Sequence, residues 1–173
     1  MPHRDPFDLA GQIAVVTGGS RGIGKAIAAG LAACGAGVAI VGRFEETLSQ
    51  AAEEIARPEG SISTHVADVS REAEVIRLRE TVLEVHGTLD ILVNNAGVSP
   101  IYEPLERTDL ADWRQIMGVN LDGVFLCCRH LGTVLLEKGR GSIINVSSVA
   151  GHGGIERQAA YSASKGGVEQ LTR

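Results

Sequence analysis

The sequence predicts a doubly wound parallel α/β sheet, and three observations support it. Short apolar runs alternate with amphipathic segments of helical length along the whole chain. Four of the five runs are close to continuously apolar, as strands buried on both faces should be. A glycine-rich stretch from Gly18 to Gly24 joins the first run directly to the first helical segment.

The elements follow in order. Ile13-Ala14-Val15-Val16 is the first strand. From Ile23 to Cys34 the apolar residues recur at helical spacing, with Lys25 to one side, and Gly35 and Gly37 close that helix. Val38 to Val41 is the second strand. Phe44 to Arg57 is amphipathic, with Glu45, Glu46, Glu53 and Glu54 on its polar side, and Pro58 and Gly60 end it. Ile62 to Val66 interleaves polar residues and suits a sheet edge. Ser70 is the expected N-cap of a charged helix that runs to about His86. Leu89 to Val93 is the fourth strand, and Leu110 to Glu137 contains a long helix with Trp113 near its start. Ser142 to Val146 is the fifth strand, and a last helix begins near Ala159. The dinucleotide-binding, Rossmann-type version of this three-layer fold orders its six strands 3-2-1-4-5-6. Five are present here, so the expected order is 3-2-1-4-5, in one domain over residues 1–173 whose sheet ends a strand early.

Composition narrows the function. The chain has 173 residues, 44% of them hydrophobic, which is enough for one sizeable core. Scarce aromatics (3%) and 22 glycines suit a sheet of small and β-branched residues under Ala-rich helices. A formal net charge of −5 argues against a nucleic-acid surface. Residues 1–11 carry charges and two prolines around no apolar core, unlike a signal peptide, and no apolar run is expected to span a bilayer. The three cysteines, two of them adjacent at Cys127 and Cys128, read as buried reduced thiols of a cytoplasmic protein. The histidines (His3, His65, His86, His130 and His152) show no ligand spacing, and no metal is implied.

Two motifs carry chemistry. Gly18 lets the chain leave the first strand tightly, while Gly22 and Gly24 remove side chains where a pyrophosphate and a neighbouring strand approach. The following helix offers free N–H groups and a partial positive charge for phosphates. The G-x-x-x-G-x-G spacing leaves room for Ser20 and Arg21 to point at the ligand. By itself the motif is equally an ordinary tight turn. At the end of the second strand, an acid would bind the ribose 2′-OH of NAD and a base the 2′-phosphate of NADP. The chain has Gly42-Arg43 there, so NADP(H) is favoured over NAD(H), the alternative for Arg43 being a solvated residue at a helix start.

Tyr161 and Lys165 are four residues apart and share a helix face. An unperturbed phenol titrates near ~10, so roughly 4 kcal/mol of phenolate stabilisation is wanted for proton transfer at neutral pH. A fixed ammonium in a water-poor cleft supplies that order of magnitude. Ser148, at the end of the fifth strand, is placed to donate to a substrate oxygen. Y-x-x-x-K also arises by chance on solvated helices, but not readily behind Asn145-Val146-Ser147-Ser148 and a glycine turn.

Together, Thr17 to Gly24, Asn94-Asn95-Ala96-Gly97, Val119-Asn120-Leu121, Ser147-Ser148 and Tyr161-x-x-x-Lys165 resemble the short-chain dehydrogenases/reductases. The resemblance runs from Leu9 onward. It implies that Tyr161 is the general acid/base and that Lys165 lowers its pKa and binds the nicotinamide ribose. It implies a substrate-orienting role for Ser148, with Ser147 structural, and makes Asn120 the residue that bends the long helix and holds a relay water. Asp68 and Val69 would lie beside the adenine. Asn95, Ala96 and Gly97 would line the cofactor cleft with Gly18, Ser20, Arg21, Gly22, Ile23, Gly24 and Arg43. His152 is expected in a loop lining the substrate cleft.

Members of the family continue past the Tyr/Lys helix into further strands, a Pro-Gly loop and a substrate lid. The expectation is therefore a domain truncated at its C-terminus, with a half-built substrate pocket. The leading function is an NADP(H)-dependent oxidoreductase acting on a small carbonyl or alcohol substrate, cytoplasmic, with no nucleic-acid or membrane partner, a homodimer or homotetramer when complete. The alternative is a catalytically impaired nucleotide-binding or dimerisation module. The opening Asp8-Leu9-Ala10-Gly11 and the loop Ser99-Pro100-Ile101-Tyr102 resemble reductases of 3-oxoacyl thioesters and dehydrogenases of sugar acids alike.

Overall fold

The computed structural model describes residues 7–56 and 61–173. Five parallel strands, β1 (Ile13–Thr17), β2 (Gly37–Gly42), β3 (Ile62–Val66), β4 (Ile91–Asn94) and β5 (Ser142–Asn145), form one sheet in the order β3-β2-β1-β4-β5. In register, Val15 faces Ala39 on one side and Leu92 on the other, which centres β1 in the sheet.

Helices cover both faces because the strand residues alternate between two cores. Ala14, Val16, Val38 and Ile40 pack against α1 (Gly22–Ala33) and α2 (Glu45–Ile55) through Ala28, Ala32, Leu48, Ala51 and Ile55. Val15, Ala39, Val41 and Leu92 face the other way, onto α3 (Glu72–His86) and a long helical stretch, through Val75, Leu78, Leu126 and Leu131. The expected end of α2 at Arg57, Pro58 and Gly60 lies outside the described residues.

The long stretch is α4 (Leu110–Met117), a single π turn over Gly118–Asp122, α5 (Gly123–His130) and α6 (Gly132–Lys138). Contrary to the expectation that no apolar run is long enough to cross a bilayer, Leu110–Lys138 has that length, and an 18-residue stretch within it has a mean hydropathy of 1.3. Half of that stretch is buried, however, and Ile116, Val124, Leu126, Leu131 and Leu135 of the helix lie inside the protein. Its apolar character serves the core.

Three further expectations are corrected. Ser70 does not cap α3: its hydroxyl donates to Asp68 Oδ1 at 2.6 Å, and the helix starts after Arg71 with no side-chain cap. Of the cysteines, only Cys127 is buried, its thiol pushed up to about 12 by burial, while Cys34 and Cys128 are half-buried. The fifth apolar run is not covered on both faces: in β5, Ile143 is 41% and Ile144 48% exposed, and among the described residues the strand pairs with β4 alone. A short helix, α7 (Val149–His152), precedes α8 (Ala159–Thr172).

Candidate active site

The strand order reverses between β1 and β4, and a cleft of about 300 Å³ opens there at the C-terminal ends of the strands. Gly18 takes a left-handed φ of 66° and leaves no space for a side chain, since a Cβ would sit 2.9 Å from Asn95 Nδ2. A Cβ on Gly24 would collide with the Gly18 carbonyl and the Asn95 amide. The turn is therefore pinned to the loop after β4. That loop is held in turn by Thr17, whose hydroxyl accepts the N–H groups of Asn95 and Ala96 at 3.0 and 3.1 Å.

Of the expected cofactor residues, Gly18, Ser20, Arg21, Ile23 and Gly24 line this cleft from the glycine turn. Arg43, Asp68 and Val69 line it from the ends of β2 and β3, and Asn95, Ala96 and Gly97 from the loop after β4. Gly22 does not line it. Its role is backbone: φ is +55° and nothing lies within 4 Å of a built Cβ. Arg21 and Arg43 share the cleft, and the Arg43 guanidinium stacks 5.5 Å from the ring centre of Phe44. Burial alone would raise the Asp68 carboxyl. The Ser70 hydrogen bonds, with the charges of Arg43 and Arg71, hold it below the usual carboxylate range. No side chain caps α1 and its first turn carries no acid, so its N-terminus faces the cleft without a competing anion. Two guanidiniums, a glycine-lined backbone and an open helix end fit a dinucleotide with phosphates.

Ile23, Asn95, Gly97 and Val98 also border a second space of about 420 Å³, whose far wall includes Tyr161, Lys165, Ser147 and Gln158. Lys165 is 4% exposed; its Nζ donates to the Val146 carbonyl at 2.6 Å and lies 5.9 Å from the centre of the Tyr161 ring. Burial lowers its pKa from the ordinary lysine range. Asn120 sits in the π turn, fully buried. Its Oδ1 accepts the Val98 N–H at 2.7 Å, and its Nδ2 donates to the Val98 carbonyl at 2.9 Å and to Ser164 Oγ at 3.2 Å. A methyl on Gly97 would stand 3.5 Å from Asn120 Oδ1 and 3.8 Å from Lys165 Nζ, so the three residues converge.

Ser148 opens α7, its Oγ accepting the Ala150 N–H at 3.2 Å. It lies at the end of β5 beside this space without contributing to its wall, which Ser147 does. His152 lines neither of these two spaces: it closes α7, is mostly exposed, and pairs with Glu169 at 3.2 Å. Reasoning from sequence counted Thr17 in the glycine motif without giving it a role, and missed Ser164. A polar residue ending an apolar strand was the available signal for Thr17, whereas Ser164 had none beyond lying inside Tyr161-x-x-x-Lys165.

A dinucleotide cleft joined to a buried lysine and a tyrosine on one helix defines the class as an oxidoreductase that uses a nicotinamide dinucleotide. The sequence model of the family described as short chain dehydrogenase matches residues 12–173, and the chain belongs to that family. It is 42% identical over 167 residues to the 3-oxoacyl-[acyl-carrier-protein] reductase of Synechocystis, covering 95% of this chain and 67% of that protein. Among solved structures, a metagenomic short-chain oxidoreductase in complex with NADP superposes with a TM-score of 0.90 at 41% identity, covering 95% of this chain and 73% of that one. An NAD⁺-bound xylitol dehydrogenase does so with 0.92 at 30% identity, covering 97% and 64%. The chain thus spans about two thirds of the length of these relatives.

Proposed function

We propose that this protein transfers a hydride between NADP(H) and a small carbonyl compound or secondary alcohol, with Tyr161 as the proton donor and acceptor. The observation that carries the proposal is the placement of Tyr161 and Lys165, one turn apart on α8, on the wall of a space continuous with the glycine-turn cleft.

When bound, the dinucleotide supplies or takes up the hydride. Gly18, Ser20, Arg21, Ile23, Gly24 and the open end of α1 hold its phosphates, with Gly22 shaping the turn. Asp68 and Val69 flank the base, and Asn95, Ala96 and Gly97 form the floor. Arg43 and Arg21 take the 2′-phosphate, and the NADP complex of a 41% identical relative is in keeping with this. The NAD⁺ complex of another relative makes the choice worth measuring.

In the reducing direction Tyr161 Oη gives its proton to the substrate oxygen. The Lys165 ammonium stabilises the phenolate left behind, and Val146 fixes that ammonium in place. The Ser148 oxygen already accepts the Ala150 N–H, so its hydroxyl hydrogen is the part left to point at a substrate oxygen. Asn120 has its amide committed to Val98 and Ser164. Its side chain thereby locks the β4 loop to α8, and Asn120 also holds the relay water that the family resemblance implies. Metal ions play no part in this scheme. We further infer a cytoplasmic protein that forms a homodimer or homotetramer when complete, in keeping with the family resemblance.

The test is Lys165→Ala, assayed for NADPH consumption with a panel of 3-oxoacyl thioesters and keto-sugars. Because one ammonium serves two purposes, both kcat and NADPH affinity should fall, kcat by about 10²-fold or more. Unchanged kcat would overturn the scheme.

A further inference from the structure

The turn that carries Ser148 is tied to the helix that carries Tyr161 by a carboxylate with no part in the scheme above. Glu169 lies one turn past Lys165 on α8, its side chain 16% exposed. Its Oε1 accepts the Ser147 hydroxyl at 3.0 Å, and its Oε2 pairs with His152 Nδ1 at 3.2 Å. Ser147 directly precedes Ser148, and His152 closes the short helix that Ser148 opens. Both ends of α7 are therefore anchored on one side chain. The Ser147 hydroxyl also lies 3.3 Å from the Lys165 carbonyl. Between the anchors, a Cβ on Gly151 would sit 2.5 Å from Glu169 Oε1 and 3.0 Å from the Lys165 carbonyl carbon, so α7 abuts α8 at backbone distance.

We propose that Glu169 is a positioning residue: it clamps the segment from Ser147 to His152 against α8 and so sets where the Ser148 hydroxyl stands relative to Tyr161. The inference rests on the roles proposed above for Ser148 and Tyr161. Three physical points favour it. A helix of four residues has too few internal hydrogen bonds to hold its own position. Its apolar anchorage is slight, since Val149 is 80% exposed and Ala150 is its one buried residue. A largely buried carboxylate needs polar partners, and both partners of Glu169 come from this segment. Proton transfer between positioned groups is sensitive to displacements of about 1 Å, enough to cost ~10²-fold.

The experiment compares Glu169→Ala, Glu169→Gln and Ser147→Ala with the parent enzyme, measuring kcat, KM for NADPH and amide exchange over Ala150 to Gly153. Glu169→Ala should lower kcat by about 10- to 100-fold with KM for NADPH within about two-fold. Exchange at Ala150 and Gly151 should accelerate while β1 and β2 keep their protection. Glu169→Gln retains an acceptor for Ser147 and should recover kcat to within about three-fold. Ser147→Ala combined with Glu169→Ala should be no worse than Glu169→Ala alone, because Glu169→Ala already cuts the tie that Ser147→Ala removes. If Glu169→Ala does not fold, Ser147→Ala, which cuts one of the two ties, should lower kcat by about 3- to 10-fold and accelerate exchange at Ala150, and parental values of both would overturn the proposal. Parental kcat and exchange in Glu169→Ala, or a loss that Glu169→Gln shares in full, would overturn the proposal. Retained turnover in Ser148→Ala and Tyr161→Phe would instead remove the reading on which it rests, whatever Glu169 does.

Discussion

The two halves of the site are held together by different forces. On the dinucleotide side, β1, α1 and β2 meet through apolar contact and glycine-to-backbone approach, with Gly24 against Gly18 and Val16 against Ile40 in one core. On the proton-transfer side, side-chain hydrogen bonds bridge distant segments. Asn120 reaches Val98 and Ser164, 22 and 44 residues away, and Lys165 reaches Val146, 19 residues away. Close packing dominates the first half, where Thr17 and Asn95 add hydrogen bonds, and polar satisfaction dominates the second. Added atoms should break the one, and removed hydrogen-bonding groups the other.

The largest effect expected from this contrast is at Gly24. Gly24→Val drives a branched side chain into the Gly18 carbonyl and the Asn95 amide. It should cost about 3 kcal/mol or more and abolish NADPH binding, read by thermal melting and fluorescence titration. Asn120→Ala comes next. It leaves the Val98 N–H and carbonyl without their buried partner, a loss of about 2–3 kcal/mol. Melting should register this while the sheet keeps its circular dichroism. If Asn120→Ala were as stable as the parent, polar satisfaction would not be what holds that half.

A smaller effect falls on preference alone. Arg43→Asp should shift the NADPH-to-NADH affinity ratio by about tenfold or more towards NADH, a change of ~1.4 kcal/mol, with little loss of stability. A parent that already prefers NADH in side-by-side titration would contradict the role given to Arg43.

The smallest effect lies at the sheet edge. His65 and His86 bracket Ser63, whose Oγ is 3.0 Å from one Nε2 and 2.7 Å from the other. Thr81 donates to the Leu78 carbonyl, so it accepts from His65 Nδ1, which requires neutral His65 to carry its proton there. Burial lowers the pKa of both imidazoles, and the charge of His86 lowers His65 further. Their contribution to stability is therefore complete above the unfolded value near ~6.5. It declines as pH falls through that value, because the unfolded chain takes up protons that the folded one resists. Tm should drop between about pH 7 and about pH 5, and less so in His86→Gln. A Tm that rises on acidification would reverse the sign of this account.

How much of this could be read from the sequence also divides by half. The glycine turn and Arg43 are local in the chain: strand, turn and helix follow one another, and the order of elements placed them, whereas Asp68 was placed by the family resemblance. β3 at the sheet edge was equally legible from its interleaved polar residues. Contacts between distant segments were not. Nothing in the spacing of His65 and His86 shows that β3 and α3 bring them together. Ser70 has the composition of a cap, yet a carboxylate two residues earlier captures its hydroxyl. The pairing of His152 with Glu169, on another helix, had no signal in the spacing either. The apolar stretch 110–138 has the length of a membrane span, and only packing against the sheet shows where its apolar face goes.

The central claim is that one cleft binds the dinucleotide while Tyr161 moves the proton. The most direct test measures kcat and NADPH affinity side by side in Tyr161→Phe, which removes one hydroxyl and little contact area. The account predicts a fall in kcat of about 10³-fold with the dissociation constant for NADPH changed by no more than a few-fold. Turnover close to that of the parent would contradict it.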